Sequence, residues 1–429
     1  MSPTPVAMAS PLRPATYSWE ATNEAVAARY GVPIERIARF DLNTSPEAPL
    51  LADRIVRAGR FETSLSEYPP SDYRRLVEAA ARRYDVEPDE IVVGAGADEI
   101  LDLVGKAFLP AGGAAVVPEP TYAMYRVITE QRAARVVPAR RLGAEAGYAM
   151  DAESVRMAAR QASVVWLCSP NNPTGLAEPP GSIEALLNGL QADSDADRRE
   201  PPVVVLDEAY AELAADSLLP LRSAYPRLVI VRTASKAYGL AGLRVGFGIA
   251  RPATIAAIAP YRPPGSVSTV SVTVVAAALE ADGWLPERVA AIHAERERLA
   301  AGLRAAGWAP GPSVTNFLLV PFGTPERARV VAGALLRQGL VPRTFAAGHP
   351  LADHLRLTVR SPEEDDRLIA AARSVAAGAD SVTRSDAAEG SDAAEGSDAA
   401  AKSDAAASSD AAEGSDAAAP RNSAAMETR

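Results

Sequence analysis

The sequence predicts an α/β fold in two domains, and three observations carry that prediction. Apolar runs of strand length alternate with stretches of helical period from Glu90 to Ala250. These runs end in Gly, Pro or small polar residues that open the next helical stretch. After about Ser266 the alternation gives way to long helical patterns followed by two isolated strand-like runs.

Taken in order, the first segment is Pro-rich and then helical in WEATNEAVAARYG (19–31), so residues 1–40 are expected to form an N-terminal arm packed on the second domain. The large domain is expected over 41–265. Its strands are EIVVGAG (90–96), GAAVVPEP (113–120), ARVVPAR (134–140), SVVWLCSP (163–170), PPVVVLDEAY (201–210), RLVIVRTASK (227–236) and RVGFGIA (244–250). Between them, ADEILDLVGKAF (97–108) after GAG, and SIEALLNGLQ (182–191) after the Pro-rich AEPPG, are helices opened by turn residues. The small domain, 266–379, begins with VTVVAAALEADG (272–283) and ERVAAIHAERERLAAGLRAAG (287–307), then the strand-like TNFLLVPF (315–322) and HLRLTVR (354–360). From Ser385 the chain repeats SDAAEG and close relatives with almost no large apolar side chain. Such a segment cannot offset the entropy of ordering, so 380–429 is expected to be a disordered low-complexity tail.

Composition narrows the function. The chain has 429 residues, 48% of them hydrophobic, and a net charge of -10, enough for a substantial core. Residues 380–429 hold 11 acidic and 4 basic side chains, which leaves the body nearly neutral. That balance argues against a nucleic-acid or anionic-membrane partner. A single cysteine, Cys168, excludes an internal disulfide and reads as a small core residue, and three scattered histidines make no Cys/His metal cluster. The first residues lack the apolar run of a signal peptide, and no window of 18 apolar residues occurs, so a cytoplasmic protein is the expectation.

The chemistry gathers at strand ends, where ligands sit in open α/β sheets. In RTASKAYGLAGLRVGFG (232–248), Lys236 follows the hydroxyls of Thr233 and Ser235 and precedes Arg244. A lone lysine is ordinarily a solvated surface charge. Hydroxyls and a guanidinium beside it suit a phosphate dianion, and an amine next to a phosphate site is what an aldehyde cofactor requires. Asp207 ends an apolar strand, so its carboxylate should face a cation; otherwise it would be a helix cap. Tyr210 follows three residues later. SPNNPTG (169–175) makes a Pro/Gly turn whose Asn172 can donate a hydrogen bond. GAGADEILDLV (94–104) sets glycines before a helix, so the backbone N–H groups of Ala97 and Asp98 can hold phosphate. PTYAMY (120–125) offers the flat face of Tyr122, or simply a core aromatic.

In their order and spacing, EYP (67–69), GAGADE, PTYAMY, SPNNPTG, DEAY, SKAYGLAGLRVGFG, TNFLLV and HLRLTV resemble the class I/II, fold-type-I aminotransferases that use pyridoxal 5'-phosphate, in particular the histidinol-phosphate aminotransferase branch. The resemblance covers about residues 17 to 375. It implies a large domain with a mostly parallel seven-stranded sheet flanked by helices, plus a smaller α+β domain. It also implies Lys236 as the Schiff-base lysine and Asp207 as the partner of the pyridine nitrogen. Asn172 and Tyr210 would contact the cofactor's phenolic oxygen, Tyr122 would stack on its ring, and Ala97, Asp98, Thr233, Ser235 and Arg244 would bind its phosphate. Tyr68 resembles a tyrosine that reaches the cofactor phosphate of the neighbouring subunit, which implies a homodimer with shared sites. Arg356 matches the arginine for the substrate's acidic group and Arg343 a second anion-binding arginine, while Tyr17 and Asn316 resemble further substrate-side positions. The implied reaction is ping-pong transfer of an amino group from a small-molecule donor to an oxo acid such as 2-oxoglutarate.

The sequence leaves the branch pattern where substrate is read. NTSPEAP (43–49) replaces an Asn-Glu-Asn-Pro run, YRPPGSVS (261–268) has Gly265, Ser266 and Ser268 where the branch has an aromatic and asparagines, and Arg360 replaces a glycine. A histidinol phosphate-like donor, an aromatic or specialised-metabolism amino acid, and a decarboxylase of the threonine-phosphate type all fit. A transcription regulator with an aminotransferase-like domain does not, because about 40 residues before the large domain are too few for a helix-turn-helix and linker.

Overall fold

Eleven strands form among the residues described, nine of them where apolar runs meet turn chemistry. The structure is a computed structural model that describes residues 16–214 and 216–379. The low-complexity segment at 380–429 lies outside the described residues. Strand β1 (Ala38–Phe40) is followed by β2 (Ile91–Gly94), β3 (Ala114–Glu119), β4 (Arg135–Arg140), β5 (Val164–Cys168), β6 (Val203–Asp207), β7 (Leu228–Thr233) and β8 (Gly246–Ile249). Three further strands are β9 (Phe317–Pro321), β10 (Leu340–Pro342) and β11 (His354–Thr358). The described residues up to Arg373 form one unit; beyond it the described residues complete the helix Pro362–Ala379.

The seven runs read from the sequence make one sheet in the order β2-β8-β7-β6-β5-β3-β4. All neighbours run parallel except β8, which is antiparallel to both β2 and β7. Strands β5, β6 and β7 are buried at every position, as continuous apolar runs must be when helices cover both faces. Alternate residues feed two cores. Val165, Leu167, Val204 and Leu206 pack with Leu76 of helix Arg74–Tyr84 and Leu186 of helix Ser182–Ala196. Val164, Trp166, Val203 and Val205 pack on the other face with Ile100 of helix Ala97–Phe108 and Tyr125 of helix Met124–Gln131.

Because β2 and β8 are antiparallel, Gly94 and Gly246 lie side by side, and the register also aligns Thr233 with Gly246 and Cys168 with Asp207. One edge of the sheet therefore carries the ends of β5, β6 and β7 and the loop after β2, which are the loops that hold the motifs.

Two small sheets stand apart. β1 pairs in parallel with β10, and β9 in antiparallel with β11. Arg343, just after β10, bridges Arg356 of β11. In the arm, the helix begins at Asn23 rather than Trp19, because the Thr22 hydroxyl accepts a hydrogen bond from Ala25 N and sets the N-cap there. Among the described residues no helix is long and apolar enough to cross a membrane, and no cluster of three His, Cys, Asp or Glu could hold a metal.

Candidate active site

The anion end of the site is built around the turn from β2 into helix Ala97–Phe108. Gly96 is its N-cap at φ 84, a conformation that favours glycine, and a Cβ there would collide with the Arg244 guanidinium. A Cβ on Gly246 would overlap the backbone of Gly96 and Ala97. The two glycines thus let the helix N-terminus, with the amides of Ala97 and Asp98, close against β8 and Arg244. Arg244 donates to Asp98 Oδ2 at 3.2 Å. The hydroxyls of Thr233 and Ser235 are 2.9 Å apart on the neighbouring strand end, both buried, and Ser235 N donates to Thr233 Oγ1. A helix N-terminus, two hydroxyls and a guanidinium are donors that could hold a phosphate group.

Asp207, at the end of β6, is 4% exposed. Tyr125 Oη donates to its Oδ2 at 2.8 Å and Ala209 N to its Oδ1 at 3.0 Å. Among the described residues no cation lies within ion-pair distance of it. Burial pushes its pKa up to about 6, against the lowering effect of those two hydrogen bonds. A buried carboxylate held by donors but lacking a counter-ion fits a protonated ring nitrogen. Tyr122 donates to Asp98 Oδ1 at 2.9 Å and meets Tyr125 edge to face at 5.7 Å between ring centres.

Lys236 lies between these groups and the small sheets. Its Nζ is 3.3 Å from the Asn43 carbonyl oxygen and 5.5 Å from the centre of the Tyr210 ring. Desolvation, with repulsion from Arg356 as the next cause, lowers its amine to about 8. An amine of that pKa is still mostly protonated near physiological pH, but its neutral, nucleophilic form is far more abundant than in an ordinary lysine. Tyr210 is buried, accepts a hydrogen bond from Asn43 Nδ2 at 2.9 Å, and packs edge to face on Phe317.

On the small-sheet side, Arg356 is 5% exposed and donates to Asn172 Oδ1 at 2.6 Å and to the Asp41 carbonyl, while its Nε has no partner. Asn316 Nδ2 donates to the Asn43 carbonyl at 3.1 Å, and its buried Oδ1 is unsatisfied. Arg343 donates to the Ser18 carbonyl at 2.8 Å, lies 3.8 Å from Glu20, and sits over the Tyr17 ring. Tyr17 in turn lies 6.2 Å from Tyr122, centre to centre. Fourteen of the fifteen residues singled out in the sequence thus lie in or around one cleft. The fifteenth, Tyr68, is 89% exposed, with Gly265 beside it.

Sequence reasoning missed Asn43 and Tyr125. Asn43 joins Lys236, Tyr210, Asn316 and Thr358 in one network. Tyr125 stands in the PTYAMY motif, three residues after Tyr122, in the first turn of the helix Met124–Gln131 that brings its hydroxyl to Asp207. Also unread was the buried ion pair of Arg232 with Glu208 at 2.8 Å and Glu212 at 2.9 Å, directly behind Asp207 and Thr233.

The chain matches the family model of aminotransferase class I and II over residues 46–371. It is 34% identical over 365 residues to the histidinol-phosphate aminotransferase of Roseiflexus castenholzii, covering 82% of this chain and 93% of that one. To the histidinol-phosphate aminotransferase of Symbiobacterium thermophilum it is 36% identical over 361 residues, with coverage of 80% and 94%. The crystal structure of histidinol-phosphate aminotransferase from Sinorhizobium meliloti in complex with pyridoxal-5'-phosphate superposes with a TM-score of 0.74 at 29% identity, over 84% of this chain and 96% of that one. With its seven-stranded sheet and its match to these relatives over most of its length, the chain belongs to the class I and II aminotransferases, fold-type-I enzymes that work with pyridoxal 5'-phosphate.

Proposed function

We propose that this aminotransferase is a cytoplasmic homodimer that moves an amino group from a donor resembling histidinol phosphate to 2-oxoglutarate by a ping-pong route. The observation that carries the reading is the convergence of Lys236, Asp207, Tyr210 and Arg356 on one cleft beside the donors suited to a phosphate. The names of the relatives supply the substrate class.

Bound in this cleft, pyridoxal 5'-phosphate supplies an aldehyde that takes up amino groups and a ring that accepts the electrons of a substrate Cα–H bond. Lys236 Nζ would hold that aldehyde and, as a free amine, would take the Cα proton and return it. Asp207 keeps a proton on the ring nitrogen, a task its burial and its hydrogen bond from Tyr125 equip it for. Tyr210 and Asn172 serve the cofactor's phenolic oxygen, and Tyr122 covers the ring. Ala97, Asp98, Thr233, Ser235 and Arg244 hold the phosphate, joined by Tyr68 of the second subunit. Arg356, whose Nε is buried without a partner, binds the donor's acidic group. Arg343, Tyr17 and Asn316 complete that wall.

One observation favours a second donor class, aromatic amino acids. Trp19 and Tyr17 meet edge to face at 4.8 Å beside Arg343, and Glu20 already lies 3.8 Å from that guanidinium. A panel of donors with 2-oxoglutarate, read as glutamate formed, decides between them. Histidinol phosphate should give the highest kcat/KM, and Lys236→Ala should abolish turnover together with the visible absorbance of the bound cofactor. Preference for an aromatic amino acid would move the assignment to the second class. Carbon dioxide without an oxo product would move it to a decarboxylase.

A further inference from the structure

We propose that Asn43 is a positioning residue of this reaction. Its side-chain amide fixes the direction in which Tyr210 gives its hydroxyl proton, and its carbonyl oxygen holds the Lys236 amine. The inference rests on the roles of Lys236 and Tyr210 proposed above, and it adds a residue outside the motifs that suggested them.

Asn43 lies just after β1, 1% exposed, in the left-handed region at φ 53. A residue other than glycine held there costs on the order of 1 kcal/mol unless the surroundings enforce it, and asparagine tolerates the region better than most. The enforcement is visible. Asn43 N donates to Thr358 Oγ1 at 3.0 Å, and Thr358 Oγ1 lies 3.2 Å from Asn43 Oδ1 and donates to the Phe40 carbonyl at 2.8 Å. β11 thereby clamps the residue after β1.

The clamped residue presents two groups to the cleft. Nδ2 donates to Tyr210 Oη at 2.9 Å. A phenol oxygen that accepts along one lone pair turns its own O–H away from that donor, so Tyr210 is left with a proton to give elsewhere. The carbonyl oxygen accepts from Lys236 Nζ at 3.3 Å and from Asn316 Nδ2 at 3.1 Å, which uses both of its lone pairs. An amine that donates one hydrogen to a fixed carbonyl aims its lone pair away from Asn43, the orientation a base needs in order to reach a proton across the cleft. The conformation at φ 53 brings both groups to bear at once.

The experiment is a double-mutant cycle read in the pH titration of the bound cofactor's visible absorbance, with Asn43→Asp, Tyr210→Phe and the pair. An ionised aspartate only accepts, so it draws the Tyr210 proton to itself and removes a donor from the cofactor's anionic oxygen. Each single variant should raise the titration midpoint by about half a pH unit or more, and the pair should rise no further than Tyr210→Phe alone. The added charge acting by itself would give additive shifts instead. Asn43→Gly suits the left-handed backbone and keeps the carbonyl. It should fold and load the cofactor, yet lose about tenfold or more in kcat with a smaller change in KM. If Asn43→Asp does not fold, the same cycle with Asn43→Gly decides by its non-additivity in kcat. Additive shifts, or wild-type kcat in Asn43→Gly, overturn this proposal alone. Failure of the wild-type protein to take up the cofactor overturns the reading of the site, and this proposal with it.

Discussion

A buried carboxylate without a counter-ion makes Asp207 a site where function opposes stability. Its pKa is pushed up to about 6 by burial, above the ordinary value near 4. For an acid shifted upward, the favourable contribution is present below the unfolded pKa and is lost as pH rises through the folded one. Without cofactor, the protein should therefore bear a cost at pH 8 that is mostly absent at pH 4, at most about 3 kcal/mol for a shift of two units. Asp207→Asn removes the charge and keeps the contacts, since the amide oxygen can accept from Ala209 N while the amide nitrogen donates to Tyr125 Oη. Cofactor-free Asp207→Asn should melt a few degrees higher than wild type at pH 8 and show much less gain at pH 4. Its transaminase activity should fall by about a thousandfold or more, because the ring nitrogen loses its charged partner. A lower melting temperature at pH 8 would contradict the account of Asp207. Residues such as Asp207 and Lys236 are legible in sequence because a lone ionisable group after an apolar strand is a chemical anomaly. Asn43 is not legible, because it acts partly through a backbone carbonyl, which every residue carries.

Among elements, six of the seven sheet strands were legible because both faces are covered, so each is an apolar run in its own right, while β4, at the sheet's edge and half-exposed, shows only a short apolar pair, Val136 and Val137. β1 and β10 were not. Each is three residues long, too short to show a period, and each finds its partner about 300 residues away in the chain. Their pairing sets Asn43 beside Lys236 and Arg343 beside Arg356, so the illegible elements help to assemble the site. The contact between β8 and the turn before helix Ala97–Phe108 shows what a strand must leave out. A Cβ at Gly246 would meet the backbone of Gly96 and Ala97, which cannot yield as a flexible side chain would. Gly246→Ala should force the phosphate turn away from Arg244, destabilise the fold by about 1–3 kcal/mol and weaken cofactor binding at least tenfold. Gly242→Ala, where a Cβ meets nothing within 4 Å, is the matched control and should leave both unchanged. Equal cofactor affinity in Gly246→Ala and wild type, by fluorescence titration, would show that the turn has room to spare.

For the molecule as a whole, Tyr68 is the residue that a single chain leaves unexplained. It is 89% exposed, and Leu65, three residues away in the chain, is 69% exposed, so large apolar groups meet solvent here. A second copy of the chain covering that stretch, with Tyr68 reaching the cofactor phosphate across the interface, would account for the exposure. Sharing of that kind has a consequence that no isolated site can imitate. Lys236→Ala and Tyr68→Ala chains should each be close to inactive as homodimers. In a mixed dimer, the site that keeps Lys236 receives an intact Tyr68 from the Lys236→Ala partner and is whole, while the other site lacks both. Random reassortment of equal amounts puts half of the dimers in the mixed form, each with one working site, so activity should recover to about a quarter of wild type. Recovery should track the fraction of mixed dimers separated by differently charged tags. If the mixture stays at the level of the parents while mixed dimers form, Tyr68 does not serve the partner's site; if Tyr68→Ala alone keeps full activity, the residue belongs to the interface only.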